Sequence, residues 1–379
     1  MSSHVKAVCK YAEPFKLLPT GLPTPELMQP RQCVSEIDRR YVLQNLKQYL
    51  NLLCERAGLR HAPSQAFERW RFVEATRSTG PDPVIPSPVD GINGLVQELE
   101  KLGLPTEKGK QICRDLASAC RADAKKVGVD GGLEIHATET KVWIEKGEMW
   151  TVHYSDGDGV RNQLVIKDSI GRHLQEICTF DFPHALFQLL HRYQMIEGIG
   201  YQMALPTDMF KCVSDDFGVH HECFASPLNH YFTSYTSAFP DVDIPFGSKG
   251  SFFDFYPQEG SFEVNPPFIE EILAATVARI LALLARAEEA KKPMSFILFT
   301  SAWDDTPAIL WASDSPFCRK QSRMMKGKHY YKRGDQHIQR KPYMRAGADS
   351  FVFFLQTSEG AKKWTITERK LRRFYRAWE

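Results

Sequence analysis

Between Gly260 and Leu273 the chain reads GSFEVNPPFIEEIL, and its two consecutive prolines leave few folds open. Proline lacks an amide donor, fixes its own φ and drives the residue before it into extended backbone. Phe262–Val264 is apolar enough for a buried strand, Asn265 and Pro266 end it, and the residues beyond Phe268 take up helical spacing. The segment predicts a strand, a stiff corner and an amphipathic helix, in that order. Apolar runs at His220–Phe224, Phe252–Tyr256, Ser295–Thr300 and Phe351–Gln356 alternate with helical stretches around it. Alternation of this kind predicts an α/β sheet.

The corner carries chemistry as well as shape. An exocyclic adenine amine is a poor nucleophile because its lone pair is delocalised into the ring. Two fixed acceptors for its hydrogens favour a tetrahedral nitrogen. The side-chain oxygen of Asn265 and the carbonyl of Pro266 can be those acceptors, Pro267 stiffens the backbone that presents them, and Phe268 offers a face for stacking. A strand-to-helix turn with Phe268 in the core is the plain alternative. The end of a strand in an open α/β sheet is where such sheets bind ligands, which favours the chemical reading.

Upstream, FGVHHECFASPLNHYF (Phe217–Phe232) predicts a strand that ends at Glu222–Phe224. Its small residues Ala225 and Ser226 then lead to Pro227 and a helix. A tight turn of small residues after the first strand lets backbone approach the methionine part of S-adenosylmethionine. Phe224, Ala225, Ser226 and Asn229 are therefore cofactor candidates, with Asp241, Asp243 and Asp254 as ribose acceptors; the first two of these also read as solvated turn residues. His220, His221, Glu222 and Cys223 are consecutive and alternate between strand faces, so no metal site is expected. SDGDG, from Ser155, reads as a hairpin turn rather than a calcium loop.

Ser35–Glu55 has helical periodicity, and GPDPVIPSP (Gly80–Pro88) can be neither helix nor central strand. Val89–Val127 predicts a helical hairpin broken at Gly103–Thr106. At GVDGG, from Gly128, the pattern turns to short β-rich runs at Leu133–Thr140, Lys141–Lys146, Met149–Tyr154 and Gln163–Lys167. A helix is expected over Pro183–Met195. These readings predict a helical domain over 1–128 and an α/β domain over 129–379.

At 379 residues, with 43% hydrophobic and 25% charged residues, the chain has an ordinary globular composition rather than that of a disordered or fibrous protein. No run approaches the roughly 20 apolar residues of a membrane span, and nine cysteines without a C-x-x-C pair read as free thiols. A soluble intracellular protein that does not engage membranes is expected. The net charge of +2 conceals an asymmetry: residues 319–379 hold 17 Lys and Arg against 5 Asp and Glu, giving +12 and leaving −10 for the rest. Arg319–Arg345, with Tyr330, Tyr331 and Tyr343 among its ten basic residues, has a composition suited to phosphate contacts and base stacking.

HRYQM (His191–Met195), FGVHHECFASPLN (Phe217–Asn229), SAFPDVD (Ser237–Asp243), FGSKG (Phe246–Gly250), GSFEVNPPFIEE (Gly260–Glu271) and SFILF (Ser295–Phe299) occur in order. Together they resemble the phosphorylated CTD-interacting factor family, the cap-specific adenosine N6-methyltransferases. RSTGPDPVIPS (Arg77–Ser87) and KGEM (Lys146–Met149) are similar more loosely. The resemblance implies a Rossmann-like methyltransferase domain that uses S-adenosylmethionine, joined to an N-terminal helical domain, and a nuclear location. It implies capped RNA as partner, with the methyl group going to the 2′-O-methyladenosine beside the 7-methylguanosine cap.

Asn265, Pro266, Pro267 and Phe268 fall on the family's catalytic and cofactor motif, Glu270 on a cap-contacting acid, and Arg77 near a substrate arginine. Trp303, Asp304, Asp305, Thr306 and Pro307 fall on a substrate loop that the family writes Trp-Arg-Asp/Glu-Pro-Pro. Here Asp304 replaces the arginine and Thr306 the first proline. A cationic methylguanine wants an aromatic face and a carboxylate, which Trp303 and either Glu270 or Asp305 can offer. A WW domain needs two tryptophans about twenty residues apart, and Trp70 is the first in the chain. None is therefore expected, and direct binding to the phosphorylated polymerase tail is doubtful on this reading.

Overall fold

The structure is a computed structural model that describes residues 30–77, 82–86, 93–128, 141–155, 161–198 and 200–379, apart from the side chains at 30–35, 75–77, 93, 126, 128, 161 and 162. The expected run Leu133–Thr140 lies outside the described residues. So do GVDGG, SDGDG and the Gly80–Pro88 loop, each in large part. Two compact units meet at Gly198 and Ile199 in the chain.

The first unit begins with helices α1 (Pro30–Arg56), α2 (Ser64–Arg77), α3 (Asn93–Lys101) and α4 (Thr106–Gly128). Helical spacing places Leu43, Leu46, Leu50 and Cys54 of α1 on one buried face, as it does Leu95 and Leu99 of α3 and Ile112, Leu116 and Cys120 of α4. The break between α3 and α4 falls at Leu102–Pro105, where Gly103 takes a φ of +92°. That is the hairpin the periodicity predicts.

Strands β1 (Lys141–Glu145), β2 (Met149–Ser155) and β3 (Arg161–Lys167) form an antiparallel sheet in that order. Its alternate residues Trp150, Val152, Tyr154, Leu164 and Ile166 are buried, and helices α5 (Asp168–Ile177) and α6 (Phe182–Gln194) follow. Both helices contact this sheet, and α6 also packs on α1, where Arg192 and Arg39 share buried Glu36 and Arg39 reaches Asp82 at 2.7 Å. Asp82 in turn accepts the amides of Val84 and Ile85, so an ion network holds the proline-rich loop. Helix gives way to strand near Gly128 as expected, yet β1–β3, α5 and α6 belong to this first unit, so the division falls at Gly198 instead.

The second unit is built on a six-stranded sheet of order β5-β4-β6-β7-β11-β8. Helix α7 (Thr207–Phe217) leads through Gly218, at φ +67°, into β4 (Glu222–Ala225) and β5 (Tyr235–Ser237). The short helix α8 (Pro240–Asp243) precedes β6 (Gly260–Val264), α9 (Glu270–Glu289), β7 (Met294–Ser301) and α10 (Pro307–Ser313). Strands β8 (Cys318–Met324), β9 (Tyr330–Lys332), β10 (Tyr343–Arg345) and β11 (Ser350–Gln356), then helices α11 (Ser358–Lys363) and α12 (Glu368–Trp378), complete it. Strands β5, β4, β6 and β7 are parallel, and β11 runs antiparallel between β7 and β8. Every residue of β7 and β11 is buried, which accounts for their unbroken apolar runs.

Three expectations in this unit need correction. Phe252–Tyr256 is not a strand: Phe252–Asp254 forms a 3-10 turn capped by the Ser251 hydroxyl, and its aromatics pack inward against Phe224. The residues after Pro227 form a turn rather than a helix. Helix α9 is not amphipathic; most of it is buried, because β7 and α10 pack on it and Arg279 and Arg286 tie it to the carbonyls of Phe255 and Pro257.

Candidate active site

From β4 the chain moves to β5 on one side, then crosses back to β6 on the other. The sheet therefore has its topological switch point between β4 and β6, and the crevice outside their carboxyl ends is where open α/β sheets hold ligands. The two motifs singled out in the sequence are the continuations of these two strands. Ala225 and Ser226 follow β4, and Asn265–Phe268 follow β6.

Asn265 is buried, and its Nδ2 donates to the carbonyl of Met203 at 3.0 Å. Only the nitrogen end of the amide can face a carbonyl, so Oδ1 is turned away from it, and this buried acceptor has no partner among the described residues. An orphaned buried acceptor costs stability, which marks it for a donor that arrives from outside. The stiff corner places Pro266 beside it and leaves Phe268 half-buried, its amide donating to the carbonyl of Gly200 and its ring edge-on to Tyr331 at 5.9 Å. Gly200 lies under Phe268, where a Cβ would stand 3.4 Å from that side chain.

On the β4 side, Asn229 Oδ1 accepts from the amide of Ser226 at 2.8 Å and from its hydroxyl at 3.0 Å, while its Nδ2 donates to the carbonyl of Gln202. Asn229 thus shapes the turn. Phe224 packs against both Phe252 and Phe253, which brings the Phe252–Asp254 turn to the side of β4. Asp243 is buried rather than solvated, because its carboxylate accepts the amide of Phe239 and caps α8.

The substrate candidates are spread along the same edge of the sheet. Glu270, exposed, opens α9. Trp303, half-buried, lies just beyond β7 in a turn closed by the Thr306 amide and hydroxyl, which both donate to its carbonyl; Pro307 starts α10. Asp305 is exposed. Asp304 receives both its hydrogen bonds from Arg323, which also binds Asp349. Arg77 ends α2 in the other unit, and its side chain lies outside the described residues.

Sequence reasoning missed a pair of acids. Glu222 on β4 and Glu263 on β6 are register partners across the switch point, and both are buried. Glu222 Oε1 accepts the amides of Tyr231 and Phe232 at 2.7 and 2.8 Å, which folds the chain back after the turn. Neither oxygen of Glu263 has a hydrogen-bond partner among the described residues. Burial raises both carboxyls well above the usual carboxylate range, and the Glu222 charge raises Glu263 further. The signal was an isolated acid inside each of two apolar strands. His221, stacked on Phe255 at 4.4 Å with Nδ1 on the Ser234 hydroxyl, is kept neutral by burial, its pKa lowered to about 3.

The basic segment is less free than its composition implies. Tyr331 is core, Tyr330 accepts a bond from Arg345, Lys332 donates to Thr207 and Arg333 is paired with Asp335. Tyr343, Lys326 and Lys328 are exposed. Among the described residues the cysteines are free, and no helix is long and apolar enough to cross a membrane.

Two comparisons bear on this site. Residues 173–334 match the family model described as phosphorylated CTD interacting factor 1 WW domain. The expectation that no such domain is present is corrected by this match, and the doubt it cast on contact with the polymerase tail falls with it. Tryptophan spacing looks for a short module, whereas the matched stretch runs from α5 past β9. The chain is also similar to the mRNA (2′-O-methyladenosine-N(6)-)-methyltransferase of Homo sapiens, 45% identical over 193 residues, which are 48% of this chain and 27% of that protein. The Mus musculus protein of the same name is 43% identical over 201 residues, 50% of this chain and 28% of its own length. The match thus spans little more than a quarter of either relative.

Proposed function

We propose that the chain is an S-adenosylmethionine-dependent RNA adenine N6-methyltransferase with a Rossmann-like catalytic domain, acting on the 2′-O-methyladenosine beside the cap of messenger RNA. The observation that carries this reading is the buried, unpartnered Oδ1 of Asn265 at the switch point. It is an acceptor of the kind an exocyclic amine needs. Asn265 and the Pro266 carbonyl hold the two amine hydrogens, concentrate electron density on the nitrogen and orient its lone pair. Phe268 supports the base from the side.

The cofactor supplies an electrophilic methyl group on a sulfonium. The residues that would hold it are Phe224, Ala225, Ser226 and Asn229 after β4, Asp254 beside Phe224, and the Asn265–Phe268 corner. Trp303 offers the cationic cap base a face, and Glu270 or Asp305 offers it a carboxylate. The names of the human and mouse relatives support this substrate. Contact with the phosphorylated polymerase tail and a nuclear location fit the same reading.

One observation favours a second reading. Asp304 stands where the resembled family has arginine and is held by Arg323, so the loop after β7 presents the wrong charge for that contact. An adenine N6-methyltransferase on another RNA, or on DNA, is the alternative; an inactive cap-binding module fits less well with the intact Asn265–Phe268 corner. The deciding experiment incubates the protein and S-adenosylmethionine with capped RNA, 5′-triphosphate RNA and DNA, then reads the nucleosides by mass spectrometry. N6,2′-O-dimethyladenosine from capped RNA alone is the expected product. N6-methyladenosine from the uncapped strands would select the alternative, and no methylated nucleoside from any substrate would leave the binding module.

A further inference from the structure

We infer that the outer face of α12, together with Lys320 of the edge strand β8, is a binding surface for the phosphates of single-stranded RNA. The inference rests on the RNA reading above. Leu371, Phe374 and Trp378 bury one side of α12 against the sheet, so residues at three- and four-residue spacing on the opposite side face solvent. Those residues are Arg369, Arg372 and Arg376, all exposed. One flank of the helix is occupied: Arg373 is paired with Asp216, and Lys370 lies over Phe217 at 5.4 Å. The other flank meets β8, where the hydroxyls of Tyr375 and Ser322 are 2.6 Å apart.

Side chains alternate along a strand, so Lys320, two residues before Ser322, stands on the same face of β8 as α12. Met324, two residues after Ser322 on that face, is the register partner of Ser350, which is hydrogen-bonded to His329 at 2.8 Å, and His329 packs on Trp378 at 4.5 Å. Moving along β8 from Met324 to Lys320 therefore follows α12 from its last turn back towards Arg372. Lys320 joins the arginine stripe. The acids of the helix, Glu368 and Glu379, lie at its two ends.

The stripe leads to the candidate active site. Trp378 donates to the carbonyl of Tyr330 and packs edge-on to Tyr331, which packs edge-on to Phe268. Because β8 is parallel to β7, the Met324 end of this surface is the end from which the catalytic corner rises. From Arg376 to Arg369 the stripe is about 10 Å long, enough for two successive phosphates of an extended strand. A row of arginines without base-reading partners suits a polyanion of any sequence. The Arg319–Arg345 segment is the weaker candidate, since Arg323, Lys332 and Arg333 are already engaged within the fold.

The test compares the parent with a quadruple variant, Lys320→Gln, Arg369→Gln, Arg372→Gln and Arg376→Gln, and with a variant in which the three arginines become lysine. Affinity for a capped 20-nucleotide RNA and for a capped trinucleotide is measured by fluorescence anisotropy at several salt concentrations, and methylation of the trinucleotide is followed separately. The quadruple variant should bind the long RNA on the order of tenfold more weakly, with a log–log salt slope lower by roughly 1.4, about 0.7 for each of the two phosphates held. The lysine variant should keep the parent slope, and trinucleotide turnover should be unchanged. Equal affinity and parallel salt slopes for parent and quadruple variant would overturn the inference, whatever the activity. A parent that methylates neither RNA would refute the proposed function instead, while the slopes still decide the surface.

Discussion

The side-chain nitrogen of Asn265 is fixed on the carbonyl of Met203 at 3.0 Å, so these two residues together decide where the amide oxygen points. Free rotation would let the amide turn either end toward the crevice. Met203 fixes the oxygen as the acceptor on that side, in a buried place and without reorganisation when a donor arrives.

Asn265→Ala should lower turnover by a factor on the order of 100 or more, while cofactor affinity weakens less, because the lost acceptor acts at the reacting nitrogen. Steady-state kinetics and calorimetric titration of the cofactor separate the two. Turnover within a few-fold of the parent would remove Asn265 from the mechanism.

If Trp303 stacks on the cap, capped RNA should be methylated far better than the same strand bearing a 5′-triphosphate, and Trp303→Ala should erase the difference. The affected constant is KM for capped RNA, since the cap lies away from the amine. Equal rates on both strands with the parent would count against Trp303.

The buried carboxyls of Glu222 and Glu263 set an alkaline limit. Both are raised in the folded protein and ionise in the ordinary carboxylate range once unfolded, so unfolding releases protons above that range. Stability is then greatest below it and declines as pH rises through the raised values. Two amide donors and Lys332 pull Glu222 back down, which leaves Glu263 the firmer holder of the proton. Glu263→Gln should flatten the alkaline decline in urea midpoint. An unchanged slope would show that Glu263 does not titrate in the transition.

His191 and His221 act in the opposite direction. Both are buried and neutral, lowered to about 3, against about 6.5 in an unfolded chain. The stability they contribute is fully present above about pH 6.5 and is lost as pH falls towards 3. His191→Phe, at a site already lined by Tyr154 and Phe187, should make urea midpoints less dependent on pH between 6.5 and 4.5. An unaltered acid limb would rule His191 out.

Gly360 sits where α11 crosses the start of β7, and a Cβ there would lie 2.3 Å from the carbonyl oxygen of Met294. Neither partner can give, because Thr357 caps the helix and also accepts from the Met294 amide. Gly360→Ala should cost about 1–3 kcal/mol, as overpacking does. A fall in the denaturation midpoint with an unchanged m-value would show it, and a midpoint equal to the parent's would disprove the clash.

The local pattern revealed whatever local chemistry decides. Periodicity located α1, the α3–α4 break, α6 and the strands β6, β7 and β11, and the proline pair located the corner after β6. It misjudged Phe252–Tyr256, because an aromatic run reads alike in a strand and in a turn packed inward. It took α9 for an amphipathic helix, since its Glu and Arg residues look solvated until the carbonyls of Phe255 and Pro257 come to meet Arg279 and Arg286. The Glu222–Glu263 pairing and the Met203 carbonyl behind Asn265 were illegible, because strand register and loop return are set by contacts far apart in the chain.

Strand β11 lies between β7 and β8, although both precede it in the sequence. As the chain leaves the ribosome, β7 must wait with one edge open and β8 with no neighbour until some fifty residues beyond β7 have emerged. An unpaired apolar edge is a template for other chains. A nascent or truncated protein that stops short of Ser350 would therefore present that edge to its neighbours. The emergence of β11 is what turns this sheet from an aggregation hazard into a closed core.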